Sequence, residues 1–262
     1  MRSLLLSSAF LLAACGSSSQ PASAEAQSQS GGMTDEEFDA RLREALMRNP
    51  QVILEAVEAY QERLEANSLN AARDVVAGML ADLVSGEHGH AVGASADEAE
   101  LVIVEFFDYN CGVCRSAMPS VLAYTEDDPK VRLVFQEYPV IAEHSRQASR
   151  IAVAAGKLGD DAYLNVHRAL LQGGAPNDAA INSALARAGF DAEAIANAVA
   201  ADGDDIDALI DRSMAMGRQI GSRGTPFFIV ANPSSGMFDV MDGYHPEGFR
   251  QLVERVAGSS SN

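Results

Sequence analysis

Cysteine is scarce in this chain, with three in 262 residues. Cys111 and Cys114 form a Cys-x-x-Cys pair, and Cys15 stands far from them. A structural zinc site needs four ligands, commonly a second such pair or two suitably spaced histidines. The nearest histidine pair, His88-Gly89-His90, lacks that spacing, so no metal site is expected. His144, His167 and His245 are scattered. Positive charge is also scarce: 19 Lys and Arg stand against 37 Asp and Glu, a formal net charge of −18 at pH 7. That balance argues against nucleic acid and anionic membrane surfaces as ligands. No glycine-rich phosphate loop occurs, so no diffusible cofactor is expected. Asp202, Asp204, Asp205 and Asp207 imitate part of a calcium loop but lack its glycine and regular acid spacing, and they read as helix-capping acids.

What is present centres on residues 101–118. Leu101 to Phe107 is a nearly continuous β-branched and aromatic run, the pattern of a strand buried on both faces. Asp108-Tyr109-Asn110 breaks it, and Cys111-Gly112-Val113-Cys114 leads into a helical turn at Arg115-Ser116-Ala117-Met118. Unpaired N–H groups and the helix dipole at such a start favour a thiolate at Cys111. The i, i+3 spacing puts Cys114 beneath it, within disulfide reach. Arg115 adds a nearby positive charge and Asp108 opposes it. A strand, a turn and a Cys-x-x-Cys at a helix start read as a redox site.

Around this stretch the pattern is α/β. Val131 to Tyr138 reads as a second buried strand closed by Pro139, and Pro119 should kink the helix after the cysteines. Residues 145–220 are alanine-rich with helical period, broken near Gly159, Gly173-Gly174, Gly189-Phe190 and Gly203. That gives four or five helices. Pro226 to Val230 and Gly236 to Met241 read as two further strands, with a turn at Gly243-Tyr244 and a last helix from Pro246 to about Val256. Phe227 and Phe228 read as core.

The N-terminal third is of another kind. Residues 1–14 carry Arg2 and an apolar segment, Leu4 to Leu12, too short to span a bilayer and typical of a signal peptide. Residues 15–33, rich in Ser, Ala, Gln and Gly, read as a flexible tether. Residues 34–85 read as helices: Thr34 caps the first, Phe38, Leu42 and Leu46 stripe it, and Asn49-Pro50 opens a second with Ile53, Val57, Tyr60 and Leu64. A third is expected from about Ala71 to Leu83. An apolar stripe outside the core needs a partner, another copy of the chain or the domain's own surface.

Two separated motifs, Glu105-Phe106-Phe107 running into Cys111-Gly112-Val113-Cys114 and Gly224-Thr225-Pro226-Phe227-Phe228, resemble the DsbA family of the thioredoxin fold over roughly residues 91–256. The resemblance implies an α/β thioredoxin-like fold over residues 86–262, with a helical insertion at about 145–220. It implies Cys111 as nucleophile, Cys114 as the resolving thiol, Glu105 as a buried proton-shuttling acid and Thr225-Pro226 as a cis-proline loop. The active-site disulfide would serve in place of any cofactor. Client proteins with thiols or disulfides and a membrane redox partner are the implied partners. Leu12-Ala13-Ala14-Cys15 resembles a bacterial lipobox, implying a lipid on Cys15 and an anchored protein of the cell envelope (periplasm). Gly16, rather than Asp, leaves the outer membrane or the cell surface open as destination. The helical extension is similar to those through which DsbA-like isomerases or reductases form homo-oligomers. Gly112-Val113 replaces the Pro-His dipeptide of the strongest oxidants, implying a less oxidising couple, and Thr225 resembles the isomerases. The expected function is thiol–disulfide oxidoreductase, oxidase or isomerase. The alternative is a redox-sensing or copper-binding envelope lipoprotein without exchange turnover.

Overall fold

In a computed structural model the chain is described over residues 33–258. The signal peptide, most of the tether and the lipid attachment at Cys15 lie outside the described residues. Two compact units divide at Ala56 and Val57.

The first unit holds helix α1 (Asp35–Arg48) and the start of α2 (Gln51–Ser85). Thr34 caps α1, its hydroxyl accepting from the Glu37 N–H at 3.2 Å while Glu37 accepts from the Thr34 N–H at 3.3 Å. Helix α1 buries no residue. Phe38, Leu42, Met47, Val52, Ile53 and Leu54 are all exposed.

The third N-terminal helix, expected from Ala71, is not separate. Helix α2 runs unbroken through that point, with non-helical angles only at Met79. No proline or glycine occurs between Gln51 and Ala77, and a helix already nucleated propagates through Asn67 and Asn70 at little cost.

In the second unit a five-stranded sheet has the order β1-β3-β2-β4-β5, with β1 His90–Gly93, β2 Leu101–Phe107, β3 Val131–Glu137, β4 Phe227–Asn232 and β5 Met237–Asp242. Strands β2 and β3 are parallel, Leu101 facing Val131 through Phe107 facing Glu137, and are joined by α3 (Gly112–Asp127). The other neighbours pair antiparallel. Between β3 and β4 come α4 (Glu143–Gly156), α5 (Asp160–Gln172), α6 (Asp178–Ala188), α7 (Ala192–Ala201) and α8 (Gly203–Ile220). These are the expected insertion, and Gly159 and Gly189 at its breaks hold left-handed φ values of 122° and 82°. Helix α9 (Pro246–Ala257) closes the chain. Pro119 lies inside α3.

All seven residues of β2 are buried because both sheet faces are covered. Alternation sends Ile103 and Phe107 to one face, with α3, the insertion and α9. Val102, Val104 and Phe106 face the other, where Ala72, Val76 and Leu83 of α2 and Met216 and Ile220 of α8 pack. The later half of α2 therefore finds its partner in this unit's own core. Glu105 shares the parity of Ile103 and Phe107, the face that holds both redox-motif cysteines.

Candidate active site

Strands β2 and β3 end side by side, and the Tyr138 N–H donates to the Phe107 carbonyl at 2.9 Å beyond the last pair. The chain leaving β2 turns at Asp108, whose carbonyl accepts the Cys111 N–H at 2.9 Å. Cys111 is the N-cap of α3, and its Sγ accepts from the Cys114 N–H at 3.1 Å. This is a helix start with sulfur in the place of the usual capping oxygen.

On the other side of β2, Phe227 pairs with Phe106, which brings the residues before β4 to the same end of the sheet. The Thr225–Pro226 bond is cis, and the Pro226 carbonyl accepts the Gly243 N–H at 2.9 Å. As a thiol, Cys111 donates to the Thr225 carbonyl at 3.2 Å. Cys111, Cys114 and Thr225 thus meet at one point, and both cysteines are free thiols. Phe227 and Phe228 are core, as expected.

The two sulfurs are electrostatically unlike. The Cys114 thiol's hydrogen bond, the Thr225 hydroxyl and the N–H groups of Cys114 and Val113 hold Cys111 down to about 6 against the opposing effect of burial. Burial first, then the hydrogen bond to Cys111 and the charges of Glu105 and Cys111, push Cys114 far up. At neutral pH one sulfur is a thiolate and the other a thiol. Burial, then the Cys111 charge, also raises Glu105 well above the carboxylate range. Glu105 is 3% exposed, a strand-centre acid turned inward.

Arg115 was expected to lend charge to Cys111. Its Nε instead donates to the Leu171 carbonyl near the end of α5, so it serves to hold the insertion. Asp108 does more than oppose a charge. Its buried carboxylate accepts three backbone N–H groups, from Asn110 at 2.7 Å and from Val140 and Ile141 at 2.8 Å each.

A buried polar cluster beside the site was not foreseen. Glu137 Oε1 accepts from the hydroxyls of Tyr109 at 3.3 Å and Tyr163 at 3.1 Å, and the Tyr109 oxygen meets His167 Nδ1 at 3.1 Å. Burial pushes Glu137 up to about 8 and His167 down to about 3, so both are neutral at pH 7. His90 stacks on Tyr163 with ring centroids 3.8 Å apart. The one sequence signal was polar residues inside apolar patterns, Glu137 at the end of a buried strand and His167 amid Val166, Ala169 and Leu170. Among the described residues no group of three or more His, Cys, Asp or Glu could hold a metal ion.

Paired thiols of opposite protonation at a helix start, facing a cis-proline loop on this sheet, define a thioredoxin-fold thiol–disulfide oxidoreductase. Residues 102–253 match the DSBA-like thioredoxin domain. The chain belongs to that family. Residues 36–67 match the copper resistance protein ScsC N-terminal domain. Among solved structures, a thioredoxin-like oxidoreductase from Silicibacter pomeroyi DSS-3 is 31% identical, covering 68% of this chain and 97% of its own, with TM-score 0.58. Salmonella enterica Typhimurium BcfH is 21% identical over 85% of this chain and 96% of its own, with TM-score 0.67. Proteus mirabilis ScsC in a transitional conformation is 24% identical over 86% and 97%, with TM-score 0.59. Comparison with curated proteins gave no match.

Proposed function

We propose that this protein exchanges disulfides with client proteins through Cys111 and Cys114, acting as an isomerase or reductase as readily as an oxidase. The carrying observation is Cys111 Sγ set between the Cys114 N–H and the Thr225 carbonyl, with Cys114 fully buried below. The Cys111 thiolate attacks one sulfur of a client disulfide. The client S–S bond breaks, its second sulfur leaves as a thiolate, and a mixed disulfide forms. Cys114 then attacks Cys111 Sγ, the mixed disulfide breaks, and the client leaves as a second thiolate while the Cys111–Cys114 disulfide forms.

Glu105 takes the Cys114 proton in this scheme. The Cys111 charge is one of the two causes of its raised pKa. Burial is the larger cause and remains, but mixed-disulfide formation removes the Cys111 charge, which lowers the Glu105 pKa and makes ionisation easier. Thr225 offers its backbone to an extended client segment. A depressed Cys111 favours the reduced pair, yet a Gly-Val dipeptide supplies no side-chain donor between the cysteines, which suits a moderately oxidising couple. No diffusible cofactor enters the scheme.

The signal-peptide pattern and the lipobox at Cys15 support an anchored envelope protein in contact with a membrane redox partner. Among the described residues no helix is long and apolar enough to cross a membrane. The exposed apolar residues of α1 support a homo-oligomer.

The test is recovery of activity from scrambled disulfide-bonded ribonuclease, with the molar mass in solution measured alongside. Recovery by an oligomer supports the isomerase reading. A monomer that only oxidises reduced ribonuclease makes this an oxidase, and no turnover leaves the redox-sensing or copper-binding alternative.

A further inference from the structure

We infer that Asp108 is a positioning residue for the resolving step: its side chain locks the stretch of backbone that meets the Cys114 sulfur when Cys114 attacks the mixed disulfide. This rests on the disulfide-exchange reading and adds to it a residue that acts through its main chain.

Resolution creates a buried charge. Cys114 is fully buried. It gives its proton to Glu105, and its thiolate attacks Cys111 Sγ. The bond from Cys111 to the client breaks, the client sulfur leaves as a thiolate, and the Cys111–Cys114 bond forms. The Cys114 sulfur is therefore uncharged at both ends of the step and charged only in passing. A charge in so dry a place needs a donor. Burial, the largest influence, pushes the Cys114 thiol up, and a hydrogen bond from the Asp108 backbone opposes it.

That backbone is locked from both sides. Asp108 is fully buried, and its carbonyl accepts the Cys111 N–H at 2.9 Å. Its Oδ1 accepts the Asn110 N–H at 2.7 Å, a turn closed over the next two residues. Its Oδ2 accepts the Val140 and Ile141 N–H groups at 2.8 Å each. Strands β2 and β3 are parallel and in register to Phe107 and Glu137, so the chains leaving them emerge together and one carboxylate reaches both. The turn alone would need only one acceptor, which Asn or Ser supplies as well. The second oxygen ties that turn to the chain leaving β3, and the peptide groups around Asp108 cannot rotate without breaking these bonds.

A bare charge and a clamp differ in sign. As a charge alone, the Asp108 carboxylate would repel both thiolates, and its removal would ease resolution. As a clamp, its removal slows resolution.

The experiment uses the full chain, with oxidised glutathione as the disulfide. Rapid mixing follows formation of the glutathione mixed disulfide on Cys111 and then its decay. Asp108→Ala, which loses all three side-chain bonds, should slow decay roughly tenfold, the worth of one hydrogen bond to a charged group. Formation should be unchanged, with Cys111 still titrating at about 6. Attack of reduced glutathione on the protein disulfide should slow by the same factor, leaving the equilibrium with glutathione where it was, because only the transition state is affected. Asp108→Asn keeps one oxygen, which guards against loss of the fold, and should slow decay in the same direction by a smaller factor. Decay as fast as in the wild type, or faster in Asp108→Asn, overturns the positioning role. Equal slowing of formation and decay with a displaced equilibrium, the mark of a general loosening, overturns it as well. A wild type that forms no mixed disulfide overturns the exchange reading, and this role with it.

Discussion

The sulfur of Cys111 lies 3.2 Å from the carbonyl oxygen of Thr225, although 114 positions separate them in the chain. Strands β2 and β4 make that approach, since their antiparallel pairing ends at Phe106 and Phe227. The helical insertion is spliced between the two halves of the site without disturbing it.

The first prediction concerns the thiolate. Cys111 should titrate at about 6, read from thiolate absorbance or the pH dependence of alkylation. Thr225→Val removes a hydroxyl donor at nearly constant volume and should raise that value by roughly one unit, the equivalent of one hydrogen bond to a charged group. An unchanged titration would remove Thr225 from the stabilising set.

Glu105→Gln should leave formation of the mixed disulfide nearly intact and slow its resolution by Cys114. Loss of a positioned proton acceptor costs roughly a hundredfold. Rapid-mixing kinetics of mixed-disulfide decay measures this, and equal decay in both proteins would deny Glu105 the proton.

Stability should depend on pH through Glu137. Its folded value, raised to about 8 by burial, stands above the ordinary 4.5. The unfolded chain therefore loses this proton first. The associated stability is fully present below about 4.5 and is lost as pH rises through about 8. Thermal melts should show Glu137→Gln, which keeps an acceptor for Tyr109 and Tyr163 without titrating, falling less than the wild type between pH 5 and 8. Parallel curves would contradict the assignment.

The N-terminal unit should carry the assembly. Leu42 and Ile53 are 44% and 49% exposed and line one cavity with Leu46 and Met47. Leu42→Ser/Ile53→Ser should convert an oligomer to a monomer by light scattering, while oxidised glutathione turnover is retained. A mass unaffected by the substitutions would place any assembly elsewhere.

Much of this molecule was legible before its structure. Leu101 to Phe107 announced a strand buried on both faces, and the glycines at 159, 173 and 189 marked the ends of inserted helices, because backbone chemistry acts locally. Cys111 and Cys114 were marked by their spacing at a strand-to-helix turn, whereas Glu105 and Thr225 stood out only through the resemblance of their motifs to the family's. Strand β1 was not, since His90 to Gly93 is too short to show a period and forms only by pairing with β3. Asp108 looked like a stray charge because its partners, Val140 and Ile141, lie more than thirty positions away. Glu137 and His167 were missed for the same reason. Their meaning depends on which tyrosines the fold brings to them.

The central claim is exchange through Cys111, and trapping tests it most directly. The Cys114→Ser protein, offered insulin, should hold insulin covalently on Cys111 in a reductant-sensitive adduct seen by mass spectrometry, while the wild type turns insulin over and Cys111→Ser does neither. A Cys111→Ser protein that still reduces insulin, or a Cys114→Ser protein that captures nothing, would contradict the account.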